Sequence, residues 1–375
     1  MTNSAVKAPM TGLKVLDFTS MLAGPYCTRL LADCGAEVIK VEPASGDAVR
    51  HFPPIINGNS SYFAQLNCGK KSIVLDLATD EGKSVALDLA KDADVVVENF
   101  RPGVIARLGL DYETLSASNP ELVYCSISGF GQTGPKSQDP AYAPIVHAAS
   151  GFDQAQMDIQ GDGSEPNKCG IFTADILAAT YAFGAIQTAL LGRLRNGGGQ
   201  FIDVALMDSM INLLVYDTQV AQNPTETPRT VYAASPASDG FVIIAPVSQK
   251  NFQQMADAMD HPEWKTDPRF QEVKARRENW GEVTALMATW TMERTAAQCE
   301  EILSSAGVPC SRYRTVAETI SGPQSVARGL MAQLSDADGG FQVPNPPFKF
   351  ADDSVGVVPT TPGLGEHSQE ILQRI

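Results

Sequence analysis

A chain of 375 residues exceeds the usual size of one domain and predicts a large domain with a smaller one. Its 28 Lys and Arg against 43 Asp and Glu leave a net charge of −15 with no basic run, which excludes a nucleic-acid surface, because such surfaces cluster cations against phosphates. No stretch reaches the roughly 20 apolar residues that span a bilayer, and no basic segment followed by an apolar one opens the chain, so a soluble, unprocessed, cytoplasmic protein without a membrane partner is expected.

Along the chain, short apolar runs alternate with helical stretches. Leu13 to Phe18 reads as a buried strand, Pro25 to Ala32 as a helix closing near Gly35, and Glu37 to Val41 as the next strand, a βαβ unit. Ser72 to Leu77 is the following strand. Thr79 can cap the next helix, with Asp80 and Glu81 at its positive end, before strands at Asp94 to Phe100 and Leu122 to Ser128. The fold class is therefore α/β, with an open, mostly parallel, Rossmann-like sheet in the large domain.

Thr173 to Arg195 is a long Ala- and Leu-rich helical pattern ended by Asn196-Gly197-Gly198-Gly199, with Asp175 in its first turn. A strand from Phe201 to Leu206 and a helix from Asp208 to Tyr216 follow. Pro224, Pro228 and Pro236 mark linker composition; Gly240 to Pro246 as a strand, with helical patterns from Asn251 and Glu282, predicts a smaller α/β unit. The chain divides into a large domain over 1–222, a small domain with linkers over 223–335, and a returning C-terminal segment over 336–375.

The seven cysteines (Cys27, Cys34, Cys68, Cys125, Cys169, Cys299, Cys310) are dispersed and form no CxxC pair, as expected of reduced thiols in a cytosolic protein. None of the four His has the i, i+4 spacing of a helical zinc site, so no metal is expected. The first βα turn, Asp17-Phe18-Thr19-Ser20-Met21-Leu22-Ala23-Gly24-Pro25, lacks the GxGxxG fingerprint, which argues against classical NAD binding. By position alone, Asp175 reads as an acidic residue that stabilises a helix start.

Four segments carry a family resemblance: Leu16-Asp17-Phe18-Thr19 with Ala23-Gly24-Pro25 and Gly35 to Glu42; Asn67-Cys68-Gly69-Lys70-Lys71-Ser72-Ile73 leading to Asp76; Val97-Glu98-Asn99-Phe100-Arg101-Pro102-Gly103 with Arg107-Leu108-Gly109; and Leu364-Gly365-Glu366-His367. In order and spacing the chain resembles a family III CoA transferase, in the superfamily of formyl-CoA and carnitine CoA transferases and α-methylacyl-CoA racemase. The resemblance implies acyl-CoA and a carboxylic acid as substrates, no permanently bound cofactor, and an interlocked homodimer. It places the nucleophile at Asp175, which precedes Gln200 of Gly197-Gly198-Gly199-Gln200 by the family's interval of about 25 residues. It assigns Arg107 to the CoA phosphates, with Lys70 and Lys71 as further cations, and Thr19 and Ala23 to the wall over the thioester.

The chain departs from the family in places. Between Pro228 and Asp239 it has no Gly-rich run to close over the aspartate, and Ala143 follows Tyr142 where several relatives carry an acid. Two other functions share the superfamily. A racemase would need a His where Tyr142 stands, and a phenol of pKa near 10 is a poor base at neutral pH; His147, five residues on, reads as a satisfied polar residue. A non-catalytic CoA-binding paralogue would have no need of Asp175. The acid pair is not legible, because Arg229, Lys250 and Arg314 have no placement from sequence.

Overall fold

A computed structural model gives the structure over residues 7–160, 165–166, 169–225, 231–335 and 340–375; Pro228 and Arg229 lie outside these. In the first half the apolar runs become β1 (Lys14–Asp17), β2 (Glu37–Glu42), β5 (Lys71–Val74), β6 (Val95–Glu98), β7 (Val123–Ser128) and, further on, β8 (Gln200–Ala205). β3 (Ile55–Ile56) and β4 (Asn59–Ser60) make a separate small hairpin. The six long strands form one parallel sheet in the order β5-β2-β1-β6-β7-β8. Its strand order reverses between β1 and β6, where doubly wound sheets open a crevice at their carboxyl ends.

The intervening helices are α1 (Ala23–Asp33), α2 (Ser61–Asn67), α3 (Asp80–Lys91), α4 (Val104–Arg107), α5 (Tyr112–Ser118), α6 (Ala143–Ala149), α7 (Phe152–Gln160), α8 (Thr173–Asn196), α9 (Leu206–Leu213) and α10 (Val215–Gln222). Side-chain alternation along each strand sorts the sheet into two cores. Val95, Val97, Val123 and Cys125 pack with α1 and α8, while Val96, Leu16 and Tyr124 pack with α3 and α5. Burial on both faces is what a parallel sheet requires and explains the unbroken apolar runs Val95–Val97 of β6 and Val123–Cys125 of β7. α8, 24 residues long, holds an 18-residue window of mean hydropathy 1.3 and is long and apolar enough to cross a membrane, contrary to the sequence reading; 39% of that window is buried, and Ala174, Ala178, Ala179, Ala182 and Ile186 of the helix enter this core.

Thr79 caps α3 as expected, its hydroxyl accepting from Gly82 N. Other boundaries moved for local reasons. α1 begins at Ala23, so Pro25 is its third residue, a position whose N–H has no helical partner to lose. β5 stops at Val74 because Asp76 turns the chain, its carboxylate accepting from Ala78 N at 2.9 Å. The helix expected from Asp208 to Tyr216 is two helices, broken at Leu214, whose ψ is 50°.

The chain separates into two compact units, one of residues 1–218 and 324–375, the other of residues 219–323. In the second, β9 (Ala234–Ala237), β10 (Gly240–Ile244) and β11 (Cys310–Arg312) form an antiparallel sheet with β10 central. Pro236, read from sequence as a linker residue, lies in β9, where an edge strand tolerates the missing N–H. Helices α11 (Gln249–Ala258), α12 (Val273–Glu278), α13 (Trp280–Met292) and α14 (Ala296–Ser305) accompany this sheet, and Phe252, Met255, Trp290 and Leu303 enter its core. Ser248 and Thr295 close capping boxes on α11 and α14.

After α15 (Val316–Ser321) and α16 (Pro323–Ala327), the chain rejoins the first unit through β12 (Met331–Gln333), β13 (Gln342–Pro344) and α17 (Ser368–Leu372). Arg29 donates to Pro344 O at 2.7 Å, Gly69 N to Thr360 O at 2.8 Å, and His367 N to Ser72 O at 3.0 Å.

Candidate active site

The loop after β1 is set by charges buried beneath it. The Asp17 carboxylate accepts from Thr19 Oγ1 (2.5 Å), Thr28 Oγ1 (2.7 Å) and Lys70 Nζ (3.0 Å). Burial alone would raise its pKa, but the ammonium groups of Lys70 and Lys40, helped by the two hydroxyls, bring it down to about 2. Lys40 donates to Thr19 O at 2.7 Å and pairs with Asp47 at 3.0 Å, and Asp47 in turn accepts from Met21 N. The loop held this way puts Met21 in the left-handed region, at φ 68°, a strained state for a side chain of that size. Gly24 is required beside it, since a Cβ there would stand 2.3 Å from the Thr19 Cβ.

The loop after β6 meets this one at the strand-order reversal. Asn99 Oδ1 accepts from Ser20 N at 2.9 Å and its Nδ2 donates to Ser20 O at 2.8 Å. Glu98, buried at the end of β6, accepts from Phe100 N at 2.8 Å and from the Ser126 hydroxyl. Burial pushes the Glu98 carboxyl up to about 7 against these hydrogen bonds, and the Asp203 charge adds to the rise.

Asp175 is the third residue of α8, half-buried, and lines a cavity of about 200 Å³ together with Ser20, Met21, Ala23, Asn99, Arg101 and Tyr142. Burial lifts its carboxyl to about 6, offset in part by its own backbone N–H. At neutral pH it is therefore a poorly solvated anion in a small chamber, a suitable state for a nucleophile. Ser20 and Met21 also line a neighbouring cleft of about 640 Å³, whose walls include Thr19, Pro43, Leu75 and Phe100. Burial, followed by the charges of Asp175 and Asp47, raises the Tyr62 phenol above its ordinary value, which puts it in the field of Asp175.

The sequence-selected residues separate into groups. Asp175 and Ala23 share the small cavity and Thr19 borders the cleft. Arg107 is exposed at the end of α4, next to Leu108, which lines the cleft. Lys70 corrects the expectation of a phosphate cation: its side chain is fully buried and its three N–H groups go to Asp17, Asn67 (2.8 Å) and Pro25 O (3.0 Å). Lys71, on the edge strand, is paired with Glu37 at 2.7 Å and Glu370 at 2.8 Å, and lines neither the cavity nor the cleft.

His147 is buried, and its Nε2 accepts from Ala174 N at 3.2 Å, so it is a satisfied polar residue as its position suggested. Burial lowers its pKa despite the charge of Asp153, in keeping with a neutral ring. Arg101, Asn99 and Tyr62 were not selected as site residues from sequence. Asn99 and Arg101 stood in a quoted segment, and their place after a strand at the order reversal was the available signal; Tyr62, on α2, had none.

The family model described as CoA-transferase family III matches residues 10–368. The chain is 35% identical over 389 residues to a succinate–glutarate CoA-transferase of Agrobacterium fabrum, covering 98% of this chain and 96% of that protein. It is 36% identical over 389 residues to a succinyl-CoA–D-citramalate CoA-transferase of Chloroflexus aurantiacus, with 99% and 95% covered. Among solved structures, a CAIB/BAIF family protein from Brucella suis superposes with a TM-score of 0.85 at 35% identity, over 98% of this chain and 100% of that one. The match over nearly the whole chain agrees with the six-stranded parallel fold: this protein belongs to CoA-transferase family III and is an enzyme that transfers CoA.

Proposed function

We propose that the enzyme moves CoA between carboxylic acids through covalent intermediates on Asp175. The observation that carries this reading is the position of the Asp175 carboxylate in a small chamber that shares Ser20 and Met21 with a larger cleft at the sheet's switch point. A carboxylate oxygen of Asp175 attacks the acyl carbon of the donor, the C–S bond breaks, and CoA thiolate leaves an acyl-aspartyl anhydride. The thiolate then attacks the aspartyl carbonyl, expels the donor acid as its carboxylate and forms an aspartyl-CoA thioester. An acceptor carboxylate attacks that thioester, restoring an anhydride and thiolate. Thiolate attack on the acceptor's acyl carbon releases the new acyl-CoA and regenerates Asp175. Dividing one exchange into such steps is covalent catalysis.

The cleft suits the nucleotide and pantetheine arm, with Thr19 and Ala23 along the path to the thioester. Arg107 and Arg101 provide cations for the CoA phosphates, a role that Lys70 cannot fill while enclosed. The names of the relatives point to short dicarboxylic acids, so succinyl-CoA with glutarate is the first pair to assay. Proton exchange of the racemase kind is disfavoured by Tyr142 lining the chamber and by the engagement of His147 Nε2 with Ala174. A cytoplasmic site of action accords with seven free thiols. An interlocked homodimer accords with apolar side chains left exposed from α8 to α10, among them Ile176, Leu191, Leu194 and Val215. Sedimentation over a wide dilution range tests it, a folded, active monomer being the result against.

The chemistry is tested by adding succinyl-CoA without acceptor and quenching with hydroxylamine. A hydroxamate at Asp175, located by peptide mass, is expected, as is loss of transfer in Asp175→Ala. Transfer near the wild-type rate by that variant overturns the reading.

A further inference from the structure

The first turn of a helix has four backbone N–H groups without helical partners. In α8 they are those of the N-cap Phe172 and of Thr173, Ala174 and Asp175. Thr173 N reaches Ile171 O at 2.9 Å, and the first helical bond runs from Ile176 N to Phe172 O at 3.2 Å. Ala174, fully buried, donates to His147 Nε2 of α6 at 3.2 Å. The N-cap residue of α8 is Phe172, which has no side-chain acceptor, so the helix lacks a cap of its own.

We propose that His147 is a positioning residue for the transfer reaction, capping α8 from another helix and thereby fixing where the Asp175 carboxylate stands. The bond engages the residue directly before Asp175, and it requires the Nδ1–H tautomer, whose Nε2 lone pair is free to accept. The ring is held to that task from behind by Phe152, with ring centroids 5.4 Å apart, and the C-terminal end of α6 is closed by Ser150 Oγ donating back to His147 O at 3.1 Å. Without the acceptor, the buried Ala174 N–H loses its partner and the first turn is free to shift, carrying Asp175 with it. The inference rests on Asp175 as nucleophile.

His147→Leu removes the acceptor, His147→Asn leaves it one bond short, and His147→Gln returns an oxygen to about the place of Nε2. With succinyl-CoA and glutarate, and with folding checked by circular dichroism, kcat should fall about 100-fold in the Leu and Asn variants, the scale set by small misplacements of a reacting group, with donor KM unchanged. His147→Gln should restore most of kcat. If the Leu variant does not fold, the contrast between Asn and Gln decides. Unchanged kcat in a folded Leu or Asn variant overturns the proposal; so does an equal loss in Gln, Asn and Leu, which would mean the imidazole acts by its own chemistry. Asp175→Ala, assayed alongside, separates the two readings: transfer surviving there removes the nucleophile, whatever the His147 series shows.

Discussion

The Asn99 amide grips Ser20 at both backbone atoms, accepting from its N–H at 2.9 Å and donating to its carbonyl at 2.8 Å. It ties together the loops that follow β1 and β6, and both residues line the Asp175 cavity. Asn99→Ala should lower kcat/KM for CoA transfer by about tenfold or more while thermal stability changes little, because the lost bonds are partly exposed. Asn99→Asp should do no better, since its carboxylate cannot donate to the Ser20 carbonyl. Steady-state kinetics beside melting curves check both variants.

The elevated pKa of Asp175 sets an acid limit. In the mechanism proposed above only the carboxylate attacks, so activity should be full about one pH unit or more above 6 and decline as pH falls through that value. A kcat/KM profile of the wild type should show one acid limb near pH 6; a limb near pH 4 would mean that the nucleophile is well solvated.

Glu98 predicts a pH effect on stability. Its folded pKa of about 7 lies above its ordinary 4.5, so the folded state holds the proton more tightly. Its stabilising contribution is complete below about pH 4.5 and is lost as pH rises through 7, amounting to about 3 kcal/mol at most. Glu98→Gln, which can still accept from Phe100 N and donate to Ser126, should flatten that part of the dependence and raise the melting temperature at pH 8 more than at pH 5. A parallel shift at both values would remove Glu98 as the source.

Lys70→Met should destabilise the fold by about 3–5 kcal/mol, because Asp17 would be left charged and unpaired in the core. Adding Asp17→Asn should recover part of the loss. Arg107→Ala should instead raise the KM for acyl-CoA with stability intact. If Lys70→Met behaved as Arg107→Ala is expected to, the buried pair would not be its main task.

What was legible in the sequence, and what was not, follows from the range of the interactions. The strands of the parallel sheet could be read because each must be apolar on both faces, as Val95 to Val97 are, and Thr79 could be read because a cap is a contact three residues long. Lys70 could not, since its partner Asp17 is 53 positions away and a Lys-Lys pair in an acidic chain looks like surface charge. Arg101 lay in a segment quoted for its resemblance, yet only the meeting of the β1 and β6 loops gives it a cavity to line. The role proposed for Asp175 came from resemblance alone, because position on a helix start is common to many acids.

The return of the C-terminal segment has a consequence for how the chain is made. β5 is an edge of the parallel sheet, and its Ser72 carbonyl accepts from His367 N while its Ser72 N–H reaches His367 Nδ1, 295 positions downstream. During synthesis the ribosome must complete the whole of residues 219–323 before this cover exists. Until then a nascent chain that has already paired β1, β2 and β5 presents an unpaired strand to its neighbours, an invitation to intermolecular pairing. Crowded polysomes and overexpression are thus the conditions under which this enzyme should aggregate, and truncation before His367 should leave full-length sheet strands in chains that nevertheless precipitate.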